Sequence, residues 1–510
     1  MKRRPLLTAV LSSILPVGTA RAQASGAVLR VVTPWEIGSL EPSRTGYVFA
    51  RMQVAETLLN ADDGGLPRPG LATAWTMAED RLSWRLTLRD GAAFHDGTTV
   101  TAEAVAAVLR RAKAQPGPFG TAPIMAIEAD GPRALVLRTS EPAAALPAFL
   151  AHSSTLILAP AAYDEGGAVR RVIGSGPYRI TSIDAPLRME LERFDRWNGG
   201  PRPAIEHVAY QVVPRAETRT VMAESGQADL VFILDPPGQD RLRRSSRVQL
   251  RTMAVPRTQV IKLNTRLPMF ADRRAREAIS LLIDRDGIAR SVLRLPNNAA
   301  TQMFSPSQAE WHVPGLPPLK RDVAAARRLL AECGWVPGAD GVLQRDGKPF
   351  RATLRTFTDR PELPVVASAL QENLREGGID MQVAVANSSE IPAGHRDGSL
   401  EMALFARSFS VLPDPIGTLV TDFAADGGDW GAMGWSDKAL VDDLRRLSAT
   451  ADAAERARLR GNVATVLQDG LPLIPIAWYD TSLAVSRRLT GVTLDPLELS
   501  YRIADIGWAG

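Results

Sequence analysis

Two stretches far apart in this 510-residue chain, residues 255–263 and 473–479, are both apolar and strand-like, and they constrain the fold more than any other feature. Paired side by side they make a two-strand hinge. The long segment between them then has to fold as a lobe of its own, tied to the rest of the chain at its two ends. A chain of this length ordinarily forms more than one domain. Candidate boundaries fall at residues 171–176, 264–268 and 470–475, where Gly and Pro interrupt the periodic segments.

Helix and strand signals alternate between those boundaries. Leu82, Trp84, Leu86 and Leu88 alternate with Ser83, Arg85, Thr87 and Arg89, the period of a half-buried strand, and Asp90-Gly91 and Asp96-Gly97 mark turns after it. Thr101 caps a helix through Arg110. Residues 135–138 and 178–183 read as further strands. Asp272 opens a helix with Ala275, Ala278, Ile279 and Leu282 on one face. Asp322 opens another, with Ala326, Leu329, Leu330 and Cys333 at the same spacing and Gly334 ending it. Residues 363–376 form a third helix, followed after Gly377-Gly378 by a strand at 379–386. This rhythm predicts an α/β protein.

The N-terminus reads as an export leader over residues 1–24. Lys2, Arg3 and Arg4 precede a short apolar run, and Ala22-Gln23-Ala24 supplies the small-x-small cleavage pattern, so the mature chain is expected to start at Ser25. Arg3-Arg4 suits the twin-arginine route, and ordinary secretion fits as well. Four of the 60 Lys and Arg, and none of the 56 Asp and Glu, lie in this leader. The mature chain is therefore balanced in charge, which argues against nucleic acid as a partner. The one cysteine, Cys333, excludes an internal disulfide, and no cysteine follows the leader to carry a lipid. No later run reaches the ~18 consecutive apolar residues of a spanning helix. These features predict a free periplasmic protein.

Motifs for chemistry are few. Gly174-Ser175-Gly176 lacks the flanking spacing of a nucleophile elbow and reads as a turn into the strand that follows, which leaves a secreted serine hydrolase as a weak alternative. No phosphate-binding loop is present. The five histidines are scattered without metal-ligand spacing; His152 is the least remote candidate. Cys333 sits on an apolar helix face as a core residue. No catalytic residue, metal site or cofactor is expected. Trp35, Trp430 and Trp435 lie in irregular Gly- or Pro-rich stretches, where a ring can line a cleft.

The run from Glu79 to Gly97, EDRLSWRLTLRDGAAFHDG, resembles the signature of the peptide/nickel (family 5) extracellular solute-binding proteins of ABC transporters. Pro69-Gly70-Leu71-Ala72, Gly174-Ser175-Gly176-Pro177-Tyr178, Leu263-Asn264-Thr265, Ile283-Asp284-Arg285, Gly334-Trp335 and Leu471-Pro472-Leu473-Ile474-Pro475 continue the likeness in order. The resemblance implies the two-lobed periplasmic binding protein fold (type II, cluster C-like). Lobe one would comprise residues 25–44, 173–264 and 475–510, with an extra domain inserted at 45–172, and lobe two residues 265–474. It implies no enzyme, a solute enclosed as the lobes close, and a permease and ATPase in the membrane as partners of a monomeric receptor.

The solute is an oligopeptide or related small molecule, with a nickel chelate or other metallophore as the alternative. Peptide-binding relatives hold the peptide ammonium with an aspartate in the segment matching residues 407–415. Here Asp414-Pro415 is kept, but that aspartate's place falls to Val411 or Leu412, and a buried ammonium without a counter-charge is costly. Nickel-chelate relatives generally carry Trp and Tyr where Phe409 and Pro413 stand, and a histidine that residues 422–435 lack. The arginines they set against chelator carboxylates have no counterpart in 115–121 or 153–159. What remains is an aromatic pocket of Tyr47, Phe119, Phe409 and Trp430, with Arg407 as carboxylate partner or structural ion-pair residue.

Overall fold

The computed structural model describes residues 27–115, 117–423, 427–450 and 452–509. The expected leader and its cleavage before Ser25 lie outside them. Ten strands form one mixed sheet in the spatial order Asp380–Ala386, Arg351–Phe357, Met402–Ser408, Val248–Leu263, Leu473–Ser486, Leu230–Phe232, Val28–Thr33, His207–Val212, Arg188–Arg193, Tyr178–Asp184. Two long strands at its centre, Val248–Leu263 and Leu473–Ser486, run antiparallel and carry the sheet from one lobe into the other.

The stretches at 255–263 and 473–479 do pair, with Ile261 opposite Ile474 and Gln259 opposite Ala477. Each strand carries one proline, and each proline sits at a break in the ladder. The register shifts between Val255 and Thr258, around Pro256, and again between Gln259 and Val260, where Val260 meets Pro475. Proline donates no hydrogen bond, so a long strand tolerates it only where pairing is interrupted. Strand Met402–Ser408 adds to the same edge, Ile261 opposite Leu404 and Arg257 opposite Ser408.

Three main hydrophobic cores lie around this sheet. One gathers Leu29, Val31, Phe49, Tyr178, Leu191, Tyr210, Leu483, Val485, Ile503 and Ile506, drawn from both ends of the chain. A second joins Ile261, Ala278, Ile279, Leu330, Leu354, Leu370, Leu404 and Ile474 under the opposite half of the sheet. The third begins at Leu58 and ends at Ala159, inside the expected insertion of residues 45–172. There a four-stranded antiparallel sheet, ordered Ala72–Met77, Ser83–Leu88, Ala134–Thr139, Ile124–Ala129, is covered by helix Ala102–Lys113. Helix Pro42–Arg51 belongs instead to the first core, into which it packs Val48 and Phe49.

Local signals account for many element ends. Ser83–Leu88 buries Trp84, Leu86 and Leu88 and exposes Arg85 and Thr87. Thr101, Asp272 and Asp322 each accept a first-turn N–H, from Ala104, Arg274 and Ala325, as N-cap side chains do. Gly334 takes the left-handed φ of +83° expected of a helix stop. No helix among the described residues is long and apolar enough to cross a membrane.

Candidate ligand-binding site

A cavity of about 620 Å³ opens where the three bodies meet. Small-solute sites commonly fall in the range of roughly 300–1,000 Å³ and favour domain junctions. Its walls come from helix Pro42–Arg51 and the residues after it, from residues 151–156, from Arg257 and residues 408–411, and from the C-terminal segment 495–502.

Helix Pro42–Arg51 places Tyr47 and Arg51 one turn apart on the cavity side. The Arg51 guanidinium lies 5.2 Å from the Tyr47 ring centre, and its Nε donates to the Glu498 carbonyl oxygen at 2.8 Å. The C-terminal segment is folded by Asp495, whose carboxylate accepts the N–H groups of Leu497, Leu499 and Ser500 at 2.9, 3.0 and 3.0 Å. That turn delivers the Glu498 side chain to Arg257, with which it forms an ion pair. Burial works against the Glu498 carboxylate, but the guanidinium groups of Arg257 and Arg51 override it and hold its pKa at about 2. Arg257 and Arg360 both sit over Tyr479, at 5.1 and 4.8 Å, and Arg360 also reaches the Trp35 ring at 5.5 Å. Trp35 belongs to the first core and Arg360 follows strand Arg351–Phe357 of the second, so this stack bridges the two lobes.

Across the cavity, Glu56 accepts two hydrogen bonds from Arg89 at 3.0 Å and one from Trp197 Nε1 at 3.3 Å. His152 also stands on the wall. Its Nδ1 accepts the Ser154 N–H at 3.1 Å, and burial lowers its pKa to about 4. With Nδ1 accepting, the neutral ring carries its proton on Nε2. At the mouth, the turn after strand Leu59–Ala61 touches the segment around Pro413. A Cβ on Gly65 would lie 2.6 Å from the Pro413 carbonyl oxygen, and Gly65 has a φ of +85°, so glycine is required on both counts.

Of the five residues expected to bind ligand, Tyr47 alone lines this cavity. Phe409 is fully buried, its ring 5.2 Å from that of Phe304 in the second core. Strand Met402–Ser408 ends just before it, and the chain bends at Phe409. Phe409 points inward, and Ser408, Ser410 and Val411 line the cavity. Phe119 is buried in the third core beneath helix Ala102–Lys113, and its neighbour Pro118 reaches the wall instead. Trp430 packs edge-on against Phe405 at 5.2 Å. Arg407 is engaged by Asp422 through two hydrogen bonds, 2.5 Å from Nε and 2.7 Å from Nη2, and Asp422 is itself buried. Of its two expected roles the structure presents the ion pair.

Other side chains raised by the sequence resolve as framework. Cys333 is buried in the second core. Ser175 is buried, and the glycines on either side of it abut the backbone of residues 53–55; the Gly176 N–H donates to the Val54 carbonyl oxygen at 3.0 Å. Sequence reasoning passed over Arg51, Arg257 and the 495–502 segment. Arg257 did leave a signal, as one of two charged residues, with Lys262, in a stretch that otherwise reads as a buried strand.

Comparison with known proteins gives this geometry a family. Residues 67–429 match the model for bacterial extracellular solute-binding proteins, family 5. The nickel-binding periplasmic protein of Escherichia coli is 25% identical over 494 residues, covering 92% of each chain. The glutathione-binding protein GsiB of the same species is 25% identical over 452 residues, covering 86% of this chain and 85% of the relative. In fold, NikA from Brucella suis in complex with Fe(III)-EDTA superposes with a TM-score of 0.85 at 24% identity, covering 95% of this chain and all of that one. With a family match over most of its length and a cavity where the three hydrophobic cores meet, the chain belongs to the bacterial extracellular solute-binding proteins of family 5.

Proposed function

We propose that this protein captures a small solute, an oligopeptide or related molecule, in the cavity between its lobes and delivers it to the permease and ATPase of an ABC importer. Family 5 proteins bind peptides or small ligands and work with ABC permeases, and relatives of this chain are periplasmic. The observation that carries the reading is the composition of the cavity wall. Residues 42–57 and 495–502 flank the first core, and residues 408–411 lie at the end of strand Met402–Ser408 of the second, so both lobes contribute to this wall. A solute touching all of them is held only when the lobes are together, so binding and closure are coupled.

In this reading lobe one comprises residues 25–44, 173–264 and 475–510, carries 45–172 as its insertion, and closes on lobe two, 265–474, by bending at the two proline-marked ladder breaks. The protein acts as a periplasmic monomer beginning at Ser25 and catalyses no reaction. Small-angle scattering and native mass spectrometry of the mature protein, before and after exposure to growth-medium solutes, test this. Capture of one solute per chain with a smaller radius of gyration is expected. A chain that captures nothing and keeps its dimensions refutes the proposal, and an intact mass showing a retained leader refutes the mature start.

A further inference from the structure

The turn at residues 62–66 follows Leu59 of the third core, and residues 412–414 follow Phe409 of the second. Just before them, Asn60 and Ala61 on one side and Ser410 and Val411 on the other line the cavity. The two segments meet at its rim through backbone. A Cβ on Gly65 would lie 2.6 Å from the Pro413 carbonyl oxygen and 3.3 Å from its carbon. Among the described residues no hydrogen bond or ion pair joins the segments. Each is stiffened from behind instead. The Asp62 carboxylate accepts the Gly64 and Leu66 N–H groups at 3.0 and 2.9 Å and pairs with Arg68, and Asp63 pairs with Arg502. On the facing side, Asp414 accepts the Ile416 N–H at 3.0 Å and pairs with Arg456 at 2.9 Å. Two braced backbones touching without a bond separate at little cost, yet repel steeply when pressed together. Such a contact limits movement in one direction only.

We infer that this contact is the closure stop of the protein: the lobes swing together until the 62–66 turn rests on Pro413, and the absent side chain of Gly65 sets how narrow the cavity becomes. Gly65 touches no solute in this arrangement. It is a positioning residue, acting through the height of the cavity and hence through the fit of whatever lies between residues 42–57 and 408–411. A side chain at this position holds the lobes ajar, and a solute sized to the closed cavity then loses contact with one wall. The inference rests on the solute-capture reading and adds the residue that fixes the closed geometry.

The test uses the full mature protein and yeast-extract solutes as the probe. Spin labels at Met125→Cys and Val365→Cys, exposed sites on the third and second bodies, report the distance between them by pulsed electron resonance; Cys333 is buried and stays unlabelled. Asparagine accepts a left-handed backbone, so Gly65→Asn adds a side chain without forcing the turn to refold. Its Cβ needs ~3.5–4.0 Å to the Pro413 oxygen, so in extract the label distance should stay roughly 1–3 Å longer than in wild type. The extract concentration giving half occupancy by native mass spectrometry should rise at least ~10-fold, because the closed form is reached less often. Gly131→Asn is the control: Gly131 has a φ of +79° but a Cβ there meets nothing within 4 Å, so both readings should match wild type. Gly65→Ala gives the same comparison if the asparagine variant does not fold. A folded Gly65 variant with the wild-type label distance, or an equal shift in Gly131→Asn, overturns the stop while leaving solute capture intact. A longer distance with unchanged occupancy overturns its link to solute fit. A wild-type protein that takes up nothing overturns the capture reading and this inference with it.

Discussion

Phe409 distinguishes a cavity wall from the framework behind it. Replacing it with alanine removes a fully buried ring that packs on Phe304 beneath the strand edge where the Phe409 N–H donates to the Pro256 carbonyl oxygen at 2.7 Å. Truncation of a core phenylalanine costs ~3–5 kcal/mol, the transfer free energy plus the void left behind. In a unit of 150–250 residues each kcal/mol lowers the melting temperature by ~2–4 °C, so Phe409→Ala should melt about 10 °C below wild type. Because Ser408, Ser410 and Val411 face the cavity in its place, affinity measured well below that transition should stay within about threefold. Tyr47→Ala supplies the contrast. It removes a half-exposed aromatic wall and should cost ~1–3 kcal/mol of binding, about 5- to 150-fold, with a much smaller change in melting. Differential scanning calorimetry and titration calorimetry with the co-purified solute give both numbers for both variants. A Phe409→Ala protein that melts within ~2 °C of wild type and binds tenfold more weakly would show that the ring faces ligand and not the second core.

Other consequences are equally direct. Arg407→Leu should destabilise by ~3–5 kcal/mol because it strands the buried Asp422 carboxylate, and Arg407→Leu/Asp422→Leu should recover most of that loss in urea unfolding; no recovery would refute the ion-pair role. Burial lowers the His95 and His152 pKa values from 6.5 to about 4, so the unfolded chain binds more protons in that window and stability should fall as pH drops through it, by roughly 3 kcal/mol for each imidazole. Glu498, held at about 2, should keep its contribution until the pH falls below about 4.5; an unfolding midpoint flat from about pH 7 to pH 4 would contradict the histidine argument. Gly176→Ala should destabilise by more than ~2 kcal/mol, since its Cβ would lie 2.1 Å from the Gln53 carbonyl oxygen, and an unchanged melting temperature would show that the backbone yields there. Bare Ni²⁺ should show no calorimetric site tighter than about 10 μM, any metal arriving inside a chelator; a stoichiometric nanomolar isotherm would reverse that expectation.

Much of the fold was legible because it is written in local chemistry. Thr101, Asp272 and Asp322 announce their helices by side chains that can accept a first-turn N–H, and the alternation around Trp84 announces its strand. The central strand pair was legible too, as two apolar, strand-like stretches able to pair across a long intervening segment. The site was less so. Phe409 and Phe119 are aromatic and lie in irregular sequence, which suits a cleft and a core equally well. Which of the two a ring enters depends on the bend that follows strand Met402–Ser408 and on how the segment around Phe119 turns under its helix. Arg51, Arg257 and Glu498 lie hundreds of residues apart, and no spacing rule brings them together; their meeting is made by the turn that Asp495 folds. A lone arginine in a buried strand is the one mark of that meeting in the sequence itself.

The first core takes residues from both ends of the chain, and this fixes the order in which the molecule can be completed. Leu29 and Val31 enter early, but the strand that seals their half of the sheet carries Leu483 and Val485, and Ile503 and Ile506 close the core from almost the last turn of the polypeptide. The body between the two central strands has its helices and most of its strands in hand well before that. Domains generally acquire their structure as units, earlier segments first. The N-terminal strand has both its sheet neighbours by residue 232, yet nearly the whole chain must emerge before strand Leu473–Ser486 extends that half of the sheet and the C-terminal segment closes the core. A truncation that spares every cavity residue but removes the final turn around Ile503 and Ile506 would therefore undo the beginning of the protein rather than its end.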